Sequence, residues 1–143
     1  MAGRRARAVL PSLVAPLLAG CYASNVVASA DRAVDELALP SEWHAPTQDD
    51  LVGYHASVAI AGAAAASLRK VYYWFAADGT YTGAALIAGD QGLEFQTLVG
   101  RWSLTADGLC LDGAAAVPAG AAPGFVRITS PGGELVLMRE VLR

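Results

Sequence analysis

The chain has 143 residues, 55% of them hydrophobic, and carries ten basic against thirteen acidic side chains for a net charge of −3. Three of the ten basic residues, Arg4, Arg5 and Arg7, lie within the first twenty positions, leaving seven against thirteen in the rest. Nucleic acid is excluded as an expected partner, because phosphate binding needs clustered Lys and Arg, and attraction to anionic lipid headgroups is disfavoured on the same ground.

The N-terminus is the first element. Basic residues are followed by an apolar run from Ala8 to Ala19 and by small residues before Cys21. That order is a secretory signal peptide, which is removed and takes no part in the fold. The run is far shorter than the roughly 20 residues that cross a bilayer as a helix, and Pro11 and Pro16 interrupt it. Arg4-Arg5 opens like a twin-arginine signal, but Ala6, Arg7 and Ala8 do not continue one, so general secretion is the expected route. The ending Leu18-Ala19-Gly20-Cys21 resembles the lipobox of bacterial lipoproteins. The resemblance implies cleavage before Cys21 and a diacylglyceryl group on its sulfur, usually with an amide-linked acyl chain. Each buried methylene contributes about 0.8 kcal/mol, so such an anchor holds the chain on a membrane permanently. In enterobacterial lipoproteins an Asp after the cysteine retains the protein in the inner membrane. Tyr22 stands there, which implies the outer membrane, facing the periplasm.

Removal of residues 1–20 leaves a length typical of one domain with its own core. Residues 21–49 read as a tether, polar and Ala-rich with Pro40 and Pro46. Within it Asp31, Arg32, Asp35 and Glu36 interleave with Val34, Leu37 and Leu39, the pattern of two amphipathic helical turns. Residues 50–143 read as a β domain. With Cys21 lipidated, Cys110 has no partner for an internal disulfide, and packing alone must hold the core. Between Leu109 and Leu111, Cys110 reads as a buried, inert side chain.

From Leu51 onward short apolar runs alternate with turn signals, as in antiparallel strands joined by hairpins. The first strand spans Leu51 to Ile60. The Ala-rich stretch from Ala61 to Lys70, ending in Arg69 and Lys70, predicts a short helix with cations at its negative end. Three hairpins follow. Val71 to Phe75 and Thr80 to Ile87 flank Asp78-Gly79; Arg101 to Thr105 and Leu109 to Leu111 flank Asp107-Gly108; Phe125 to Thr129 and Leu135 to Arg139 flank Pro131-Gly132-Gly133. Glycine supplies the positive φ these turns need. The fold class is therefore all-β: an antiparallel meander of about seven strands forming a small barrel or sandwich, with one short helix.

A Leu-Val-Gly core followed by an aromatic occurs at Leu51-Val52-Gly53-Tyr54 and again at Leu98-Val99-Gly100-Arg101-Trp102, and glycine inside a strand marks a bend or close backbone approach. The pattern Leu98, Gly100, Trp102, Leu104, Asp107-Gly108, Leu109, Leu111, Asp112, then Leu135, Leu137 and Arg139 resembles the bacterial lipocalin-like small domains over roughly residues 50–142. In lipocalins the Gly-x-Trp lies on the first strand; here it falls mid-chain and the first strand carries Gly53-Tyr54. The resemblance implies a barrel that takes an apolar ligand at its mouth or a partner protein on a sheet face.

The run Tyr72-Tyr73-Trp74-Phe75 is the most conspicuous cluster for chemistry. Strand alternation puts Tyr73 and Phe75 on one face and Tyr72 and Trp74 on the other. One face belongs to the core; the other, with Tyr81 across the hairpin, is a candidate recognition patch or a surface that the tether covers. His44 and His55 are the only histidines, and with Asp49, Asp50 and Cys110 they show no zinc spacing, so neither metal nor cofactor is expected. No Gly-x-Ser-x-Gly elbow activates Ser57, Ser67, Ser103 or Ser130. Asp90, Glu94 and Asp112 would have to converge for glycoside chemistry. The expected function is a non-enzymatic, membrane-anchored envelope lipoprotein that binds a partner or an apolar small molecule. The alternatives are a periplasmic protein inhibitor or assembly accessory, for which Pro118 to Pro123 lacks a charged or aromatic tip, and a carboxylate-based hydrolase.

Overall fold

A computed structural model describes residues 37–141. The signal segment, Cys21 and most of the proposed tether helix lie outside the described residues. The described chain runs through a one-turn helix α1 (Gln48–Leu51), β1 (Gly53–Ala61), a 3-10 turn (Ala63–Ala66), β2 (Leu68–Phe75), β3 (Thr80–Gly89) and β4 (Gly92–Thr105). It continues through β5 (Gly108–Leu111), β6 (Ala119–Ala122), β7 (Phe125–Ser130) and β8 (Gly133–Glu140).

The eight strands form one antiparallel sheet in the order β5-β4-β3-β2-β1-β8-β7-β6, which is chain order cut between β5 and β6. The meander is thus a nearly closed barrel, as an all-β reading of the sequence expects. Closure comes from β1 on β8, in register from Tyr54 opposite Glu140 to Ala61 opposite Glu134, with a bulge between Ser57 and Ala59. The three turns at Asp78-Gly79, Asp107-Gly108 and Pro131-Gly132-Gly133 join β2 to β3, β4 to β5 and β7 to β8.

The seam between β5 and β6 is bridged at Leu109 and Val117, whose N–H groups and carbonyls pair in both directions at 2.9 Å. Gly108 makes that approach possible, since a Cβ there would run into the Val117 carbonyl. Farther along β6, His44 exchanges both backbone bonds with Ala121 at 2.8–2.9 Å. Beside it Trp43 lies against Gly120 and under the Arg127 guanidinium, 4.7 Å from the ring centre.

The inward-facing residues fill the barrel. Phe75 is enclosed by Tyr73, Tyr81, Trp102 and His55 at centroid distances of 5.1–6.1 Å. Leu109, Val126 and Leu137 are fully buried around them. Leu51, at the end of α1, is also fully buried in this cluster. Helix α1 opens on a Thr47–Asp50 capping pair, with the Thr47 N–H and hydroxyl donating to the Asp50 carboxylate at 2.8 and 2.7 Å. Arg139 fastens the turn to β8 by donating to the Asp49 and Asp50 carbonyls.

Three elements differ from the sequence expectation. The Ala61–Lys70 helix is reduced to the 3-10 turn, and Arg69 and Lys70 belong to β2, because pairing with β3 from Leu68 onward outweighs alanine's helix preference. Strand β4 begins at Gly92, well before Arg101. Pro118 to Pro123 is not a loop: it contains β6, whose small residues Gly120 to Ala122 are buried.

Gly83 sits where β2 and β3 approach too closely for any side chain, because a Cβ there would meet the Tyr72 carbonyl. Gly83→Ala is expected to lower the unfolding free energy by about 2 kcal/mol in urea titration. At Gly89 a Cβ would make ordinary contact 3.9 Å from the Gly92 carbonyl, so Gly89→Ala should stay within about 0.5 kcal/mol of wild type.

Candidate functional site

The aromatic run divides by strand alternation. Tyr73 and Phe75 point inward, while Tyr72 and Trp74 lie on the outer surface, where Trp74 is 56% exposed. Tyr81 belongs to the core instead of the recognition patch: it sits opposite Phe75 in the ladder and is buried against Tyr73 and Phe75. The residue that joins the outer face in its place is Tyr54 of β1, directly opposite Trp74 and stacked on Tyr72 at 6.1 Å and 17°.

Register extends this face across four strands. Tyr54, Trp74, Thr82 and Val99 form one row, and Ala56, Tyr72, Ala84 and Thr97 form the next. Lys70, Leu86 and Phe95 form a third. Tyr54, Tyr72, Trp74, Thr82 and Ala84 line a shallow groove of about 280 Å³ over the backbone of Tyr73 and Gly83. No charged side chain lines it. Such a surface suits an apolar or aromatic group with a few hydroxyl contacts. At its margin the Lys70 ammonium lies 5.7 Å from the Tyr72 ring centre and donates to the Ser57 carbonyl. Burial lowers the Lys70 pKa, and burial followed by the Glu140 charge raises that of the Tyr54 phenol.

A second polar constellation is structural. The Tyr81 hydroxyl donates to Asp112 Oδ2 at 2.6 Å, and Asp112 Oδ1 accepts the Arg101 N–H at 2.9 Å. Gly100 leaves the space for this carboxylate, since a Cβ there would collide with it. Asp112 adopts φ 54°, an uncommon conformation for a residue with a Cβ. Burial, then the Asp112 bond and charge, pushes the Tyr81 phenol up to about 12, while the Tyr81 bond and the Arg101 N–H hold Asp112 low. The Gly-x-Trp motif therefore serves packing: Gly100 admits the latch, and buried Trp102 donates from Nε1 to the Ala76 carbonyl at 3.0 Å.

The proposed carboxylate set does not converge. Asp112 lies against Gly100, six residues along β4 from Glu94, or about 20 Å at 3.3 Å per residue. Among the described residues no group of three or more His, Cys, Asp or Glu is placed to hold a metal ion. Cys110 is half-buried, not enclosed: it pairs with Ser103 on the opposite parity from inward Leu109 and Leu111. Lipid attachment at Cys21 lies outside the described residues. The sequence reading missed Leu93, Phe95 and Val99, exposed on the outer face of β4; their even spacing along the chain was the available signal.

Comparison with protein-family models, with curated proteins and with solved structures gave no match.

His55 is fully buried beside Phe75, with Nδ1 3.3 Å from the Gly53 carbonyl and Nε2 without a partner among the described residues. Burial, aided by the Arg139 charge, lowers its pKa below the ordinary 6.5 against an opposing bond to the Gly53 carbonyl. The unfolded chain then binds a proton below pH 6.5 that the folded chain refuses, so stability falls as pH drops through that value. Wild type should lose up to about 1.4 kcal/mol per pH unit as the pH falls below 6.5, measured by urea titration. Replacement His55→Phe, or His55→Gln if the larger ring fails to fold, should flatten that slope.

Proposed function

We propose that this chain is a lipid-anchored protein of the bacterial cell envelope whose lipocalin-like barrel recognises a partner with the outer face of β1 to β4. One observation carries the choice of surface. The barrel interior is occupied by Phe75, Tyr81, Trp102, Leu109 and Leu137, whereas Tyr72, Trp74 and the groove beside them face outward. An apolar small molecule would have to bind on this outer groove, and a protein partner would find two aromatic anchors there, the residue type that dominates binding hot spots. The up-and-down order with β1 on β8 supports the lipocalin-like reading of the fold. The lipobox sequence Leu18-Ala19-Gly20-Cys21 supports the anchor, and Tyr22 supports residence on the outer membrane. The reading is non-enzymatic. An inhibitory loop at Pro118 to Pro123 is disfavoured because that segment holds β6.

Two experiments test the two halves of this reading. Cys21→Ser is expected to move the protein from the membrane pellet to the soluble fraction; a correctly processed variant that still pellets would refute the anchor. Capture of interaction partners from envelope extracts by the intact protein should fall roughly thirty-fold for Trp74→Ala, the loss of about 2 kcal/mol typical of a hot-spot residue. Unchanged capture would move recognition away from this face.

A further inference from the structure

The first half of β4 has one paired edge and one free edge. Over Gly92–Arg101 it pairs with β3, but β5 meets β4 only over Trp102–Thr105. At the boundary both backbone groups of Arg101 are turned to the β5 side: its N–H donates to Asp112 Oδ1 at 2.9 Å, and its carbonyl accepts the Asp112 N–H at 2.8 Å. The Trp102 N–H turns the other way, to the Gly79 carbonyl at 2.8 Å. A strand's backbone groups alternate sides residue by residue. Leu93, Phe95, Thr97 and Val99 therefore direct both N–H and C=O away from β3, and nothing among the described residues pairs with them.

The same residues put their side chains on the outer face, where Leu93 is 53%, Phe95 68% and Val99 75% exposed. Natural edge strands are guarded by Lys, Pro, bulges or brevity. From Gly92 to Gly100 there is no Lys, Pro or bulge, and the only charge is Glu94. A lipid surface or a small molecule would cover the side chains but leave the row of backbone donors and acceptors unmatched. An antiparallel strand satisfies both.

We propose that the occupant is a second copy of this chain, forming a two-fold dimer by antiparallel pairing of β4 with β4 over Gly92–Gly100, with Gln96 opposite its own counterpart. A two-fold axis perpendicular to the sheet carries outer face to outer face, so residues can pair only with others of the same parity. Centring on Gln96 sets Leu93 against the partner's Val99 and Phe95 against the partner's Thr97, and uses every free backbone group of both copies. Centring on Glu94 would oppose two carboxylates. Centring on Phe95 would leave Val99 unpaired, and centring on Thr97 would require the backbone of Arg101, which Asp112 already occupies. The pairing stands on the β4 backbone whatever the aromatic groove binds, so failed capture through Trp74 leaves it intact.

Disulfide trapping in the full chain tests it, in a Cys110→Ser background and with a mild oxidant added to whole lysate. In Gln96→Cys the two thiols face each other in a non-hydrogen-bonded pair with Cα atoms about 4.5 Å apart, within disulfide reach. A cross-linked homodimer is expected at Gln96→Cys and roughly ten-fold less at Glu94→Cys or Leu98→Cys, each of which faces the other's position and not its own. Any dimer band in the Cys110→Ser parent is subtracted; it reports a bare Cys21 and refutes the anchor, not the edge. Thr97→Pro removes an N–H that points away from β3, so it should keep the fold, checked by far-ultraviolet circular dichroism, and abolish the Gln96→Cys cross-link. A monomeric Gln96→Cys chain, equal cross-linking at all three positions, a cross-link to a different protein, or an unaffected cross-link in Thr97→Pro would each overturn the proposal.

Discussion

Pairing of the first strand with the last is the constraint on which the rest of the domain depends. Between Tyr54 and Glu140 the chain lays down six further strands, and only β1 on β8 turns that ribbon into a nearly closed barrel. The contact is admitted by two glycines at the far end of the ladder. Gly62 takes φ 81° and Gly133 φ 139°, and a Cβ on either would collide with the other's strand. Once the strands close, the inward residues of every strand share one axis, and Phe75 touches rings from β1, β2, β3 and β4. A contact this distant in sequence must overcome loop-closure entropy before it stabilises anything.

A filled interior changes what the barrel can do. Barrels of eight strands are just wide enough either to be filled by side chains or to hold one small ligand. Here three aromatic rings and a histidine lie against Phe75 in the space a ligand would use, which is the ground for proposing recognition on the outside. Outward positions of an isolated barrel are ordinarily polar, yet Tyr54, Tyr72, Trp74, Phe95 and Val99 lie on β1, β2 and β4, with Thr82, Ala84 and Leu86 of β3 between them. Exposed apolar area of that kind is the feature on which the proposed recognition face rests.

The two edges left by incomplete closure are treated differently. At the seam, β6 is covered by the chain around His44 and by Trp43 under Arg127, and β5 is bridged to Val117. The outer half of β4 receives no such cover among the described residues, although its side chains are the more apolar. The contrast identifies β4 as the edge reserved for another strand, adjacent to the aromatic groove on the same face.

The three hairpin turns, the split of Tyr72-Tyr73-Trp74-Phe75 into inner and outer pairs, and the all-β class were legible in the sequence, because Asp-Gly turns and strand alternation are local properties of the backbone. Leu18-Ala19-Gly20-Cys21 is an equally local pattern, but it lies outside the described residues. Tertiary structure decided the rest. Alanine's helix preference from Ala61 to Lys70 yielded to the ladder between β2 and β3; Tyr81 went inside because Phe75 is its ladder partner; Gly120 to Ala122, without any strand signal, became β6 by pairing with β7, with Trp43 packed close against Gly120. Nor could local pattern show that β5 stops short of Gly92–Gly100, leaving that edge open, since the reach of one strand along another is fixed only when the barrel closes.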